Sequence, residues 1–242
     1  MTSQPSLSDK ALTPLGQQCL QGLMREWFQF ERALGRIPII QRLQQSQFTL
    51  EDYQKLLLNL RQQVIEGSRW ITRTASSFDR TFADIRSEVI GHAQEEHRDY
   101  EILEQDYINS GGQPEDINNY PRNAGSEALH GFLMYRASQS NPVDMIGAMW
   151  MIEGLGEKMA NDWAELVEAC LTKAFAKSEE HMAQHCTRFM RYHGANDDHH
   201  MEKLYKMIDR VCQTDADVQN ILRTARVVGR LYALQLEEVD YE

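Results

Sequence analysis

The segment from Cys186 to Val211 carries an apolar stripe at helical spacing, and ionisable residues occupy its middle. Cys186, Phe189 and Met190 open the stripe; Leu204, Met207, Ile208 and Val211 close it. Steps of three and four between the two ends pass through His193, Asp197 and His200. Side chains at i, i+4 and i+7 share one face of an α-helix, so this trio lies on the face that packs inward. A buried carboxylate and two imidazoles need partners, and one bound metal ion is the simplest partner for all three.

The same interruption recurs twice. Phe82, Ile85, Val89, Leu103 and Tyr107 form the apolar stripe of a segment whose middle positions are His92, Glu96 and Asp99. By phase, Glu95, His97 and Arg98 of that segment face solvent. A third stripe runs through Ile146 and Met149 to Glu153. Three helices therefore each aim a carboxylate inward, and two add histidine. Oxygen and imidazole donors without thiolate suit iron or manganese, and zinc less exclusively. Glu31 ends the inward stripe of the first helix and is a candidate buried acid near a pocket. Tyr100, Met149, Trp150 and Phe189 are candidates for the pocket wall. The pair His181 and His185 lies two to three turns before His193, cannot share its metal and reads as surface histidine.

The rest of the chain is helical in pattern. Only 6 prolines occur, and β-type alternation is absent. Thr49 and Thr214 are N-caps with acids in the following turn, and Gly111-Gly112 is a helix stop. Expected helices span 12–34, 39–45, 49–77, 80–110, 126–137 and 142–171; one begins at Ser178, and the last runs from Thr214 to about Glu238. Residues 112–123 read as a loop. Gly154 and Gly156 would kink their helix or let a ligand approach. The expectation is an all-α bundle of seven to nine helices, as one domain over 1–242.

Acidic residues outnumber basic ones 36 to 25, for a net charge of -11. That balance argues against nucleic acid or an anionic membrane as partner. The longest apolar run, 145–152, is far short of the ~20 residues of a membrane span. The polar first ten residues lack the apolar core of a signal peptide. The four cysteines, Cys19, Cys170, Cys186 and Cys212, show no CxxC pairing and read as core residues of a reduced, cytoplasmic protein.

Taken together, these motifs resemble the haem-oxygenase-like superfamily over nearly the whole chain, and within it the TenA-like and iron-containing redox enzymes, including the diiron oxidases and the pyrroloquinoline-quinone synthase type. Glu95-Glu96 with Asp106 ahead of Gly111-Gly112 is similar to the family's double-acid helix. The stretch Met151-Ile152-Glu153-Gly154-Leu155-Gly156 is similar to its hydrophobic-Glu-Gly helix. The HxxxDxxH spacing of His193, Asp197 and His200 is the most specific of the three. The resemblance implies metal ligation by Glu96, Glu153, His193, Asp197 and His200, with one or two iron ions, or manganese, as cofactor. It implies O2 and a small molecule as reactants, and a homodimer.

One departure is Asp99, where the family carries a histidine; His92, one turn before Glu96, is a substitute. Haem is not expected, because residues 1–91 contain no histidine to serve as its axial ligand. No cysteine matches the nucleophile of the thiamin-hydrolysing branch. The expected function is an iron-dependent, O2-activating oxidase or oxygenase. The alternatives are a metal-free TenA-like or quinone-synthase-like protein handling a small heterocycle, and a member without chemistry.

Overall fold

Local caps set most helix starts in the computed structural model, which describes residues 12–241 apart from the side chains of 196–199. Thr13 Oγ1 accepts the Gly16 N–H and Pro14 occupies the first turn of α1 (Pro14–Leu34). Helix α2 (Pro38–Gln44) follows. Thr49 and Asp52 form a capping box at the start of α3 (Leu50–Val64), and Thr214 and Asp217 form another for α13 (Asp215–Glu237). Each box satisfies two backbone donors that the first turn leaves open.

Several expected long helices are interrupted. The segment 49–77 breaks at Ile65-Glu66 into α3 and α4 (Gly67–Ser77). Glu66 turns its carboxylate into the bundle there, accepting from Arg69 Nη1 at 2.7 Å and pairing with Arg122. The segment 80–110 opens with a short 3₁₀ turn and then divides into α5 (Ala83–Glu95) and α6 (Asp99–Asn109). Gly111, at φ +94°, follows α6 as the stop signal predicts. A further short helix, α7 (Pro114–Asn119), occupies part of the expected loop, with proline in its first turn. Helix α8 (Ala124–Ala137) comes next.

Helix α9 (Met145–Leu155) runs into a π-turn over Gly156–Ala160 and continues as α10 (Asn161–Phe175). Gly154 is needed here, because a Cβ would press on the Trp27 ring at 3.2 Å. The helix starting after Ser178 is short, α11 (Glu179–His185), and α12 (Arg188–Val211) begins separately. Two buried acids hold that break. Glu168 accepts from Thr187 Oγ1 at 2.6 Å, and Asp106 Oδ2 accepts the Phe189 N–H at 2.7 Å.

Helix α1 lies along α13, which also packs on α8 and α9. Helix α12 crosses α9 and the π-turn and touches α5 and α6. Leu23, Tyr53, Ile71, Met149, Val228 and Leu236 are among the fully buried core residues. The centre of α12 therefore faces the end of α5, the start of α6 and the middle of α9. Among the described residues no helix is long and apolar enough to cross a membrane.

Candidate metal centre

Four helices bring their inward acids and histidines to one place. His92 Nε2 lies 3.1 Å from Glu153 Oε1. His200 Nδ1 lies 2.9 Å from Glu153 Oε2 and 3.5 Å from Glu96 Oε1. The His92 and His200 rings meet edge to face with centroids 4.6 Å apart. His92, Glu96, Glu153 and His200 can each offer one donor atom, all within 4.8 Å of one another. Glu96, Asp99 and His193 form a second such group, with His193 Nε2 at 3.6 Å from Asp99 Oδ2. Glu96 belongs to both.

The expectation that a single ion serves the whole α12 trio is corrected by this division. His193 and His200 fall in different groups because seven residues span about 10 Å along a helix, beyond the reach of one ion. Asp197 lies outside the described residues. Asp99 and His92 both join the cluster, one in each group.

Glu95 is exposed, as its phase predicts, but it also contacts α12, which its phase does not show. Because α5 ends there, Glu95 and Glu96 both reach α12. Glu95 Oε2 accepts from His200 Nε2 at 3.0 Å, and its two oxygens accept from Lys203 Nζ at 2.7 and 2.8 Å. Burial works to raise the Glu95 carboxyl, but the Lys203 ammonium and the His200 ring outweigh it and hold it below its ordinary value. With Nε2 facing Glu95, His200 presents Nδ1 to the cluster, the arrangement by which an outer carboxylate orients a ligating imidazole.

The electrostatics ask for positive charge. Burial and the neighbouring Glu153 push the Glu96 carboxyl up to about 8. Burial raises Asp99 as well, against the pull of His193. Glu153 is pulled well below the carboxylate range despite its burial, because the His92 ring lies beside it and His200 bonds to it. Burial disfavours a charged His92, yet Glu153 and then Glu96 raise it overall. The buried atoms His92 Nε2, Glu96 Oε1 and Asp99 Oδ2 have no well-aligned hydrogen bond among the described residues. Buried polar atoms normally find partners, so the donor set fits one or two divalent cations.

A cavity of about 100 Å³ opens beside this cluster. Glu96, Glu153 and His193 form one side, and Trp163, Phe189 and Tyr232 are among the apolar remainder. Gly156 and Ala160 of the π-turn leave room at the wall. Gln63 and Trp70 also line it, and Gln63 Oε1 and Trp70 Nε1 are buried without hydrogen-bond partners among the described residues. Of the expected wall residues, Phe189 is present. Met149 and Trp150 are buried elsewhere in the core, with Trp150 edge-on to Tyr205 at 5.1 Å. Tyr100 is half-buried outside the cavity, and Glu31 is exposed. The inward acid of α1 is Glu26, paired with Arg226; Glu31 follows the buried Phe30 by one residue, which turns it about 100° away.

No family model and no curated protein matches the chain by sequence. Solved structures do match its fold. A domain of unknown function with a heme oxygenase-like fold from Shewanella denitrificans is 18% identical at a TM-score of 0.79, over 92% of each chain. A TenA homolog from Pseudomonas syringae pv. tomato is 14% identical at 0.74, over 99% of this chain and 98% of its own. A TenA homologue from P. horikoshii is 14% identical at 0.67, over 91% and 97%. The chain has the haem-oxygenase-like, TenA-like fold, as the sequence motifs led us to expect.

Proposed function

We propose that this chain is an iron-dependent oxidase or oxygenase that uses O2 on a small organic substrate held beside the buried acid–histidine cluster. The observation that carries this reading is the pair of ligand groups meeting at Glu96 on the edge of a cavity. Glu96, Glu153, Asp99 and, from the sequence, Asp197 offer four negative charges, which match two divalent cations. Such matching is what a buried ionic site requires. Iron bound there would supply the activation of O2.

The chain's own residues do the rest. Glu95 holds the His200 ring with Nδ1 toward the cluster. Asp106 fixes where α12 begins and so sets the height of His193 and His200. Trp163, Phe189 and Tyr232 make the wall facing the cluster largely apolar. The Trp70 indole N–H and the Gln63 side-chain oxygen are positioned to orient a polar group on the substrate.

A metal-free TenA-like protein binding a small heterocycle is the second reading. It is favoured by the pairing already present within the cluster, where Glu153 serves both His92 and His200. The fold is equally compatible with it.

Anaerobic titration of chelator-treated protein with Fe(II), followed by mixing with O2 and absorption measurements, separates the two. Binding near two irons per chain with a transient visible band supports the oxidase. Absence of iron binding refutes it and leaves the metal-free pocket.

A further inference from the structure

A second cleft lies on the other side of α9, between α1 and α13, and its volume is about 320 Å³. Met151 contributes to its floor, whereas Glu153, two residues further on, belongs to the acid–histidine cluster. On α13 the floor is Ala225, Gly229 and Ala233, small residues at steps of four. Gly229 is closely backed, since a Cβ there would meet Met151 Cε at 3.1 Å and the Phe30 side chain at 3.4 Å. The trough is therefore apolar at its base and kept open by small side chains.

Its walls carry four arginines, Arg32 and Arg36 on the α1 side and Arg226 and Arg230 on α13. Arg226 and Arg230 are four residues apart on α13, a spacing at which like charges on a helix repel, and Arg36 lies two residues past the end of α1. Arg226 is bound to the buried Glu26, with Nη2 at 2.6 Å and Nε at 3.1 Å. The side chains of Arg32, Arg36 and Arg230 make no ion pair or hydrogen bond among the described residues. The two acids on the wall are Glu26 and Glu237, so four positive and two negative charges leave +2. In a chain with 36 acidic and 25 basic residues, this gathering runs against the overall balance.

We propose that the cleft between α1 and α13 is a binding site for a small phosphorylated molecule, whose phosphoryl dianion is clamped by Arg36, Arg230 and Arg32 while its carbon body rests on the Ala225–Gly229–Ala233 floor. A guanidinium presents paired donors that match phosphate oxygens. A phosphate monoester carries between about -1.5 and -2 near neutral pH, which offsets the +2 of the walls. The cleft volume falls within the ordinary range for small-molecule sites. This site stands independently of any metal at the other cluster.

The test is calorimetric titration of the full chain with phenyl phosphate at low ionic strength. The comparison is the double variant Arg36→Gln/Arg230→Gln. Both residues are exposed and bear no buried partner, so the variant should melt at the same temperature as the parent; Arg226 is left intact because its loss would strand Glu26. Saturable binding that weakens at least tenfold in the variant, with benzoate binding more weakly than phenyl phosphate, is the expected result. The proposal is overturned by any of three outcomes: no saturable binding, equal binding by parent and variant, or benzoate binding as tightly as the dianion. Size-exclusion chromatography run alongside identifies self-association through this cleft as the reason, should the first outcome occur.

Discussion

Glu96→Gln should act with opposite sign in stripped and metal-loaded protein. Its carboxyl is raised from 4.5 to about 8 in the folded chain. A group whose folded value lies above its unfolded value contributes most below the unfolded value, and that contribution is lost as pH rises through the folded one. Stripped wild-type protein should therefore lose stability between about pH 4.5 and 8, and the glutamine variant should not share that part of the slope. The rise from 4.5 to about 8 corresponds to an upper figure of about 5 kcal/mol.

Relaxation and water entry in real interiors reduce such figures, so on the order of 2–3 kcal/mol remains. For a chain of this size that is a rise in Tm of roughly 5–10 °C. Thermal melts in chelator at pH 5.5 and 8.5 measure it directly. With Fe(II) the order reverses, because the variant lacks the carboxylate common to both ligand groups and should bind neither ion. A stripped variant melting at or below wild type at pH 8.5 would refute the account of Glu96 as a buried acid awaiting cations. Retention of two irons would refute its shared position.

His92→Ala and His193→Ala should each leave one iron per chain, since these residues belong to different groups; metal analysis after gel filtration counts them. Glu95→Ala should weaken iron binding by roughly 10–100-fold without removing a ligand, the usual effect of losing an orienting carboxylate, and competition with a chelator measures it. Asp106 is raised to about 7 by burial, against the Phe189 N–H and Arg188, so its contribution fades as pH climbs from about 4 to 7. Asp106→Asn keeps an oxygen for the Phe189 N–H and should flatten that part of the urea-midpoint profile; an unchanged profile would show that Asp106 is ionised throughout.

Helical periodicity alone placed His92, Glu96, Asp99, Glu153, His193 and His200 on inward faces, and each is in the cluster. The reasoning worked because a charged residue in an apolar stripe is conspicuous wherever the helix is regular. Residues 96–98 contain neither glycine nor proline, so nothing local marks the break between α5 and α6; Glu95 is exposed as its phase on α5 predicts, and its contacts with His200 and Lys203 arise from the packing of α12, which has no signature in the sequence. Glu31 was misplaced by a stripe drawn one residue off. The cavity residues Gln63 and Trp70 carry no pattern of their own, since they meet the cluster only through the packing of α3 and α4 against α9 and α12.

The π-turn at 156–160 has a consequence in the language of insertion and deletion. A π-turn holds one residue more than the α-helical turn it replaces, and this one falls just after Glu153. Trimming one residue from it would leave α9, and with it Glu153, in place, while swinging Trp163, Val167 and Leu171 of α10 about 100° around their axis. Glu153 and the α10 side of the cavity wall thus sit in separate registers of one continuous path, and Glu168 on α10 ties the second register to the start of α12 through Thr187. A single-codon change in length would therefore move the cavity wall and release the start of α12 from Glu168 together, while leaving Glu153 in place.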